Sequence, residues 1–345
     1  MRIGYLLILL FTFMSCKTYN LYDVNNKTRQ NITDISVIEA AKTIKNFRET
    51  SPFSLDKERL ALWYKLESIS DRLDNSTFKE YLDAPEEKAV SMERTIPILY
   101  IYREAFDKVL YEVQNTKVKK GSAVIWLLYN MGFVVKTPSG CFGIDINHRL
   151  ANDLAPYLDF MCITHADGDH YDPKLLKSMS DNGKPIISNF YKESSEYMSK
   201  VASSYRVNNF TIRTDVADHL RNPKFPTYVK PIRIDCGEDS GNFSILTGGD
   251  SGFNPMHFKN VQGPVSATII RWGAEVENSI FGTGEGQVQT NYAILSHLIE
   301  LRHELYPNGQ ASISKTLEHL PNVKCENTIL PFWGEKLIWS NGVLH

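Results

Sequence analysis

Four potential metal ligands fall within one six-residue stretch of this chain, directly after an apolar run. Residues 158–163 predict a buried strand, while Asp172 and Pro173 predict the cap and the first residue of a following helix. The ligands occupy the turn between these two elements: His165, Asp167, Asp169 and His170. A turn or a helix cap does not need these residue types at these spacings, and α/β folds place their chemistry at the carboxyl ends of strands. The segment therefore predicts a metal site.

Three further candidate ligands occur downstream, each where an apolar segment ends. They are His219, Asp250 and His297. His257 competes with His219 for one position, and His303 competes with His297 for another. A centre that holds two cations needs ligands from several loops, with open positions for water and substrate. These residues therefore extend the predicted site beyond the first turn.

The order of these residues resembles the ligand order of the metallo-β-lactamase superfamily, whose first motif is His-x-His-x-Asp-His. The resemblance covers about residues 121–300 and departs from the motif at one position, where Asp167 replaces the second histidine. It implies an α/β fold, the metallo-β-lactamase-like αββα sandwich. It also implies that Asp145, at the end of a predicted strand, supports the site from behind.

The same resemblance implies a role for each candidate ligand. A first metal is expected on His165, Asp167 and His219, and a second on Asp169, His170 and His297, with Asp250 bridging the two. A hydroxide bound to the metal is the implied nucleophile. Asp169 is then both a ligand and the catalytic residue that carries a proton to the leaving group.

Zinc is the expected cofactor, as one ion or two. Because the carboxylate of Asp167 is a harder donor than imidazole, manganese or iron is the alternative. The expected activity is that of a metal-dependent hydrolase acting on a small-molecule substrate of the ester, lactone or phosphoester type. The alternative is a lipid-anchored binding or structural protein that keeps the fold without turnover. Metal content and turnover of generic substrates would distinguish these two hypotheses.

The N-terminus predicts a bacterial lipoprotein. Met1 and Arg2 lead into an apolar run that is too short for a membrane span, and Ser15 precedes Cys16 as in a lipobox. We therefore expect a signal peptide over residues 1–16, a lipid on Cys16 and a flexible tether over residues 17–36. A plain cleaved signal and an uncleaved anchor are the alternatives. The expected location is the membrane, on the periplasmic or cell-surface side of a bacterial envelope.

The remaining chain divides near residue 119. Over residues 37–118 apolar residues such as Leu62, Trp63 and Leu66 recur at helical spacing, which predicts an N-terminal helical region. Over residues 119–345 strands alternate with helices, which predicts a layered α/β domain. The resemblance implies that this is the metallo-β-lactamase-like domain. The formal net charge of -2 shows no basic excess, so no nucleic-acid partner is expected. The sequence indicates no particular protein partner.

Overall fold

The computed structural model describes residues 35–271, 280–302 and 312–345. The predicted signal peptide, Cys16 and the tether up to residue 34 lie outside the described residues, and so does His303. Within the described parts of the chain, no helix is both long enough and apolar enough to cross a membrane.

Five helices form the N-terminal region of the described chain. They are α1 (Ile35–Glu49), α2 (Lys57–Ser70), α3 (Asn75–Asp83), α4 (Glu86–Glu93) and α5 (Pro97–Asn115). Asp56 and Asp74 cap α2 and α3, because their carboxylates accept hydrogen bonds from backbone N–H groups of the first turn. The predicted N-terminal helical region is confirmed.

Two seven-stranded sheets form the rest of the protein. The first contains β1 (Ser122–Tyr129), β2 (Gly132–Thr137), β3 (Gly140–Ile144), β4 (Phe160–Cys162), β5 (Ile186–Ile187), β13 (Lys336–Ser340) and β14 (Val343–Leu344), in the order β14-β13-β1-β2-β3-β4-β5. The second contains β6 (Ser203–Val207), β7 (Phe210–Thr214), β8 (Ile232–Asp235), β9 (Ser244–Thr247), β10 (Gly263–Arg271), β11 (Val288–Ser296) and β12 (Thr328–Ile329), in the order β12-β11-β10-β9-β8-β7-β6. Two further helices are α6 (Pro173–Asp181) and α7 (Ile313–His319).

The two sheets pack face to face through aromatic and branched side chains. The rings of Phe142 and Phe160 from the first sheet lie 5.4 Å and 5.2 Å from the ring of Phe210 in the second. On its other face the first sheet packs against α5 and α6, where Phe106 and Leu176 belong to a second buried cluster. The α/β sandwich that the sequence predicts is therefore confirmed.

The N-terminal helices are integrated into this core. Phe47 of α1 stacks on Phe332 with ring centroids 4.2 Å apart, and both belong to the large buried cluster between the sheets. Arg59 of α2 forms a buried ion pair with Glu335, at 2.6 Å between Nη2 and Oε2. A buried guanidinium without such a partner would be strongly destabilising, so this pair ties α2 to the sandwich in one orientation.

Parallel pairing brings several strand ends to one edge of the sandwich. β3 pairs with β4 in the first sheet, and β9, β10 and β11 pair in parallel in the second. Asp145 follows β3, and the turn that starts at His165 follows β4. Asp250 follows β9 and His297 directly follows β11. The edge where these carboxyl ends meet therefore carries most of the predicted ligands.

Candidate metal centre

The structure brings all seven predicted ligands into one cluster. Their donor atoms form three overlapping groups, and within each group the atoms lie within 4.8 Å of one another. The groups are His165, His170 and Asp250; His165, Asp167 and His219; and Asp169, His170 and His297. The last two groups are the two trios that the sequence resemblance implies, and they are called here the outer half and the inner half of the centre.

The outer half is built on the turn after β4 and on a loop of the second sheet. One carboxylate oxygen of Asp167, Oδ2, lies 3.4 Å from Nε2 of His165 and 3.2 Å from Nε2 of His219. His219 is held by its own backbone, since its N–H donates to the Phe225 carbonyl at 3.0 Å. Its neighbour Leu220 donates to the Asp250 carbonyl at 2.9 Å, so the His219 loop is attached to the loop after β9.

The inner half combines the same turn with the end of β11. Oδ2 of Asp169 lies 3.5 Å from Nε2 of His170 and 3.3 Å from Nε2 of His297. His297 adopts a left-handed backbone conformation, with φ of 61°. That conformation is uncommon for a residue with a side chain, and strained residues of this kind concentrate at functional sites.

Asp250 lies between the two halves and faces both. Its Oδ1 is 3.7 Å from Nε2 of His170, while its Oδ2 is 3.5 Å from Nε2 of His297 and 4.0 Å from that of His219. Gly249 allows the loop to approach this closely, because a Cβ atom there would lie 2.7 Å from the Thr164 side chain and φ is 51°. Asp250 therefore has the geometry of a bridging ligand.

Asp145 supports the cluster from behind, at the position that the resemblance implies. Its carboxylate accepts hydrogen bonds from the Thr164 N–H and hydroxyl, both at 2.7 Å, and lies 3.1 Å from Nδ1 of His170. The Thr164 hydroxyl in turn lies 3.0 Å from Nδ1 of His165. Because these contacts use the Nδ1 atoms, the Nε2 atoms of both histidines point into the cluster. Residues that hydrogen-bond to metal-binding histidines orient the rings in the same way.

The donor atoms facing the cluster centre have no hydrogen-bond partner among the described residues. They are Nε2 of His165, His170, His219 and His297, together with Oδ1 of Asp250, and all are buried. A buried polar atom without a partner costs about 1–3 kcal/mol. Coordination to a cation would satisfy these atoms together, and a set of imidazoles and carboxylates suits zinc, iron or manganese. The residues present therefore fit the implied metal.

The electrostatics of the cluster favour bound positive charge. The close approach of His165 and His219 to its carboxylate holds the pKa of Asp167 well below its usual range. Burial raises the pKa of Asp169, but the neighbouring His170 and His297 outweigh the effect of burial and hold that pKa far below its usual range.

The buried members of the cluster are shifted by their neighbours in the same way. Burial lowers the pKa of His170, but the carboxylates of Asp169 and Asp145 outweigh the effect of burial and raise that pKa to about 10. Burial raises the pKa of Asp250, but the charges of His297 and His170 bring it down to about 2. The carboxylates are therefore ionised over the physiological range.

The competing histidine His257 lies outside the cluster. Its Nδ1 is 3.1 Å from Oδ1 of Asp218, and it belongs to none of the ligand groups found among the described residues. His219, which the resemblance favours over His257, lies in the cluster with His165 and Asp167. The proton-carrying role of Asp169 stays a prediction, since its low pKa describes an ionised carboxylate without a bound metal.

Two residues that contact the ligands were not found from the sequence. The hydroxyl of Tyr228 donates to Oδ1 of Asp167 at 2.7 Å, and the amide of Asn130 donates to Oδ2 of Asp169 at 3.1 Å. Asn130 has a left-handed φ of 54° in the β1–β2 turn, and its carbonyl accepts from the His297 N–H at 3.2 Å. An asparagine in a tight turn is a visible signal, but it indicates only the turn. Tyr228 lies in irregular chain and carries no periodic or motif signal.

No family model matches this chain, and no curated protein does. Among similar solved structures is a metallo hydrolase from the hyperthermophilic archaeon Ignicoccus hospitalis, with 13% identity, a TM-score of 0.43, and coverage of 64% of this chain and 99% of that one. A metallo-β-lactamase fold protein from Bacillus subtilis has 14% identity, a TM-score of 0.43, and coverage of 64% and 99%. A diiron β-hydroxylase from Streptomyces venezuelae has 12% identity, a TM-score of 0.43, and coverage of 65% and 55%. Sequence identity at this level does not assign a function.

Proposed function

We propose that this protein is a metal-dependent hydrolase whose centre holds up to two cations between the loops that follow β4, β9 and β11. The observation that carries the proposal is the convergence of four buried Nε2 atoms without hydrogen-bond partners, facing three ionised carboxylates. A structural core does not need such an arrangement, because buried polar groups are normally paired.

Each protein group has a distinct task in this proposal. A divalent cation held here would supply Lewis acidity. His165 and His219 hold the outer position with Asp167, and His170 and His297 hold the inner position with Asp169. Asp250 sets the separation of the two positions. Asp145 and Thr164 orient the imidazoles so that Nε2 faces the centre.

The proposed substrate is a small molecule of the ester, lactone or phosphoester type, as the ligand order implies. We propose zinc as the metal of the inner half, which offers two imidazoles and one carboxylate. The outer half offers the same count, but Asp167 is partly exposed to solvent. Manganese or iron in the outer position is the alternative there, since they favour oxygen donors more strongly than zinc does.

A reconstitution experiment tests the proposal. The protein is stripped with a chelator, reloaded separately with zinc, manganese or ferrous iron, and assayed on a chromogenic ester, a chromogenic phosphodiester and a γ-lactone. We expect metal-restored turnover of at least one substrate class and its loss in His170→Ala. His257→Ala is the matched control, because His257 lies outside the ligand groups, and it should retain metal and activity. Metal bound without turnover of any substrate would favour the non-catalytic binding protein instead.

We also propose that Cys16 carries a lipid that anchors the protein to a bacterial membrane. The support is the apolar run that ends in Ser15 and Cys16. Cys16→Ala should abolish lipid-dependent processing and release the protein from the membrane fraction. Unchanged processing and membrane association in Cys16→Ala would instead indicate an uncleaved anchor.

A further inference from the structure

The outer half of the centre contains a carboxylate where the resemblance implies an imidazole, and Tyr228 contacts it directly. The Tyr228 hydroxyl donates to Oδ1 of Asp167 at 2.7 Å. The other oxygen, Oδ2, is the one that lies 3.4 Å from His165 and 3.2 Å from His219. One oxygen of Asp167 is thus occupied by a protein donor, and the other faces the centre.

The position of Tyr228 is fixed by packing and by its backbone. Its ring centroid lies 5.6 Å from those of His165 and His219, with interplanar angles of 66° and 88°. Phe225 packs on the same ring at 5.3 Å. The Tyr228 carbonyl accepts a hydrogen bond from the Asn189 amide at 2.7 Å. The next residue, Val229, exchanges backbone hydrogen bonds of 2.8 Å and 3.0 Å with Ala217.

We propose that Tyr228 is a positioning residue that restricts Asp167 to a single donor oxygen. The carboxylate then presents one donor atom to the metal, as the imidazole that the resemblance implies at this position would. A carboxylate can bind a cation through one oxygen or both, whereas an imidazole offers one nitrogen. The side chain of Asp167 is 39% exposed, so the chain around it leaves it room to rotate. The hydrogen bond from Tyr228 opposes that rotation and directs Oδ2 toward His165 and His219. This inference rests on the proposed metal centre, and it does not depend on turnover.

The inner half lacks this arrangement and serves as an internal reference. Asn130 donates to Oδ2 of Asp169, which is the same oxygen that faces His170 and His297. No hydrogen bond to Oδ1 of Asp169 is found among the described residues. The loss of the Tyr228 hydroxyl should therefore affect the outer half and leave the inner half unchanged.

The experiment measures zinc binding to the stripped full chain by competition with a chromogenic chelator, without substrate. Tyr228→Phe keeps the ring packing and removes the hydroxyl. In this variant we expect one of two zinc equivalents to bind roughly 10- to 100-fold more weakly, the usual cost of losing a residue that hydrogen-bonds to a metal ligand. The other equivalent should be unchanged. Tyr205→Phe is the matched control. Tyr205, on β6, packs against Tyr197 and is not among the ligand groups. The Tyr205→Phe variant should bind both zinc equivalents like the unaltered chain.

A second pair of variants separates positioning from packing. In the Asp167→His background, Tyr228→Phe should change zinc affinity by less than about twofold, because the carboxylate that it positions is gone. An equal loss in both backgrounds, or no loss in either, would overturn the proposal and assign Tyr228 a packing role. An unaltered chain that binds zinc normally without turnover would refute the hydrolase while leaving this inference intact. A chain that binds neither zinc, manganese nor iron would refute both.

Discussion

The two halves of the metal centre share one turn and one bridging carboxylate but differ in their surroundings. In the inner half the side chains of His170, Asp169 and His297 are 0%, 7% and 12% exposed. In the outer half Asp167 is 39% and His219 is 17% exposed, while His165 is fully buried. Charges interact more strongly where water is excluded. A cation in the inner half would therefore be held more strongly than one in the outer half.

The supporting contacts differ in the same direction. Asp145 contacts His170 directly at 3.1 Å, while it reaches His165 only through the Thr164 hydroxyl. The carboxylate ligand of the inner half is hydrogen-bonded by a buried amide, from Asn130. That of the outer half depends on a partly exposed tyrosine, Tyr228.

Removing the bridge should abolish the difference between the halves. Asp250 faces His170, His297 and His219 with its two oxygens, so Asp250→Ala removes a ligand from both positions. We expect metal content to fall below one ion per chain. Activity should fall by more than the roughly 10- to 100-fold that is typical of losing a residue that hydrogen-bonds to a metal ligand. Elemental analysis and the substrate assay measure the two effects.

Asp218→Asn is the matched control for that prediction, because this nearby carboxylate pairs with His257 outside the ligand groups. It should keep both metals. One ion retained at full occupancy in Asp250→Ala would show that Asp250 serves only one half.

Altering Asp167 should separate the halves. Asp167→Ala removes the only carboxylate of the outer trio and should leave one ion per chain, held by Asp169, His170 and His297. Asp167→His should raise zinc occupancy toward two, since neutral imidazole suits zinc better than a carboxylate does. Stoichiometry at equal zinc concentration measures both outcomes. The same stoichiometry in the unaltered chain and both variants would mean that the side chain never reaches a metal.

Lowering the pH should weaken metal binding in the inner half more than in the outer half. In the metal-free protein the pKa of His170 is raised to about 10, so at neutral pH its imidazole carries a proton. Burial instead lowers the pKa of His165, which is therefore already neutral. Metal coordination requires neutral imidazole, so binding at His170 displaces a proton and its affinity should fall about tenfold for each pH unit.

Calorimetry of zinc binding in two buffers of different ionisation enthalpy counts the displaced protons. In Asp167→Ala, which isolates the inner half, the count should be at least one per zinc, because the carboxylates of Asp250 and Asp169 raise the pKa of His297 as well. A count near zero there, or an affinity independent of pH, would contradict the charge state assigned to His170.

Much of the architecture could be predicted from local pattern. Pro97 marked the start of α5, and the apolar run before His165 marked β4. The family's ligand order favoured His219 over His257, and the His219 loop is the one attached to the loop after β9.

The sequence by itself determined the chemistry available at the centre, because His165, Asp167, Asp169 and His170 are close along the chain whatever the fold. It also determined the α/β class, since helical and strand periodicities arise from local backbone geometry. Packing added that the loops carrying His297 and Asp250 lie against the first turn, that the two halves differ in exposure, and that Tyr228 contacts Asp167. The physical reason is that convergence and burial are properties of packed loops far apart in the chain, and no local pattern encodes which of those loops meet.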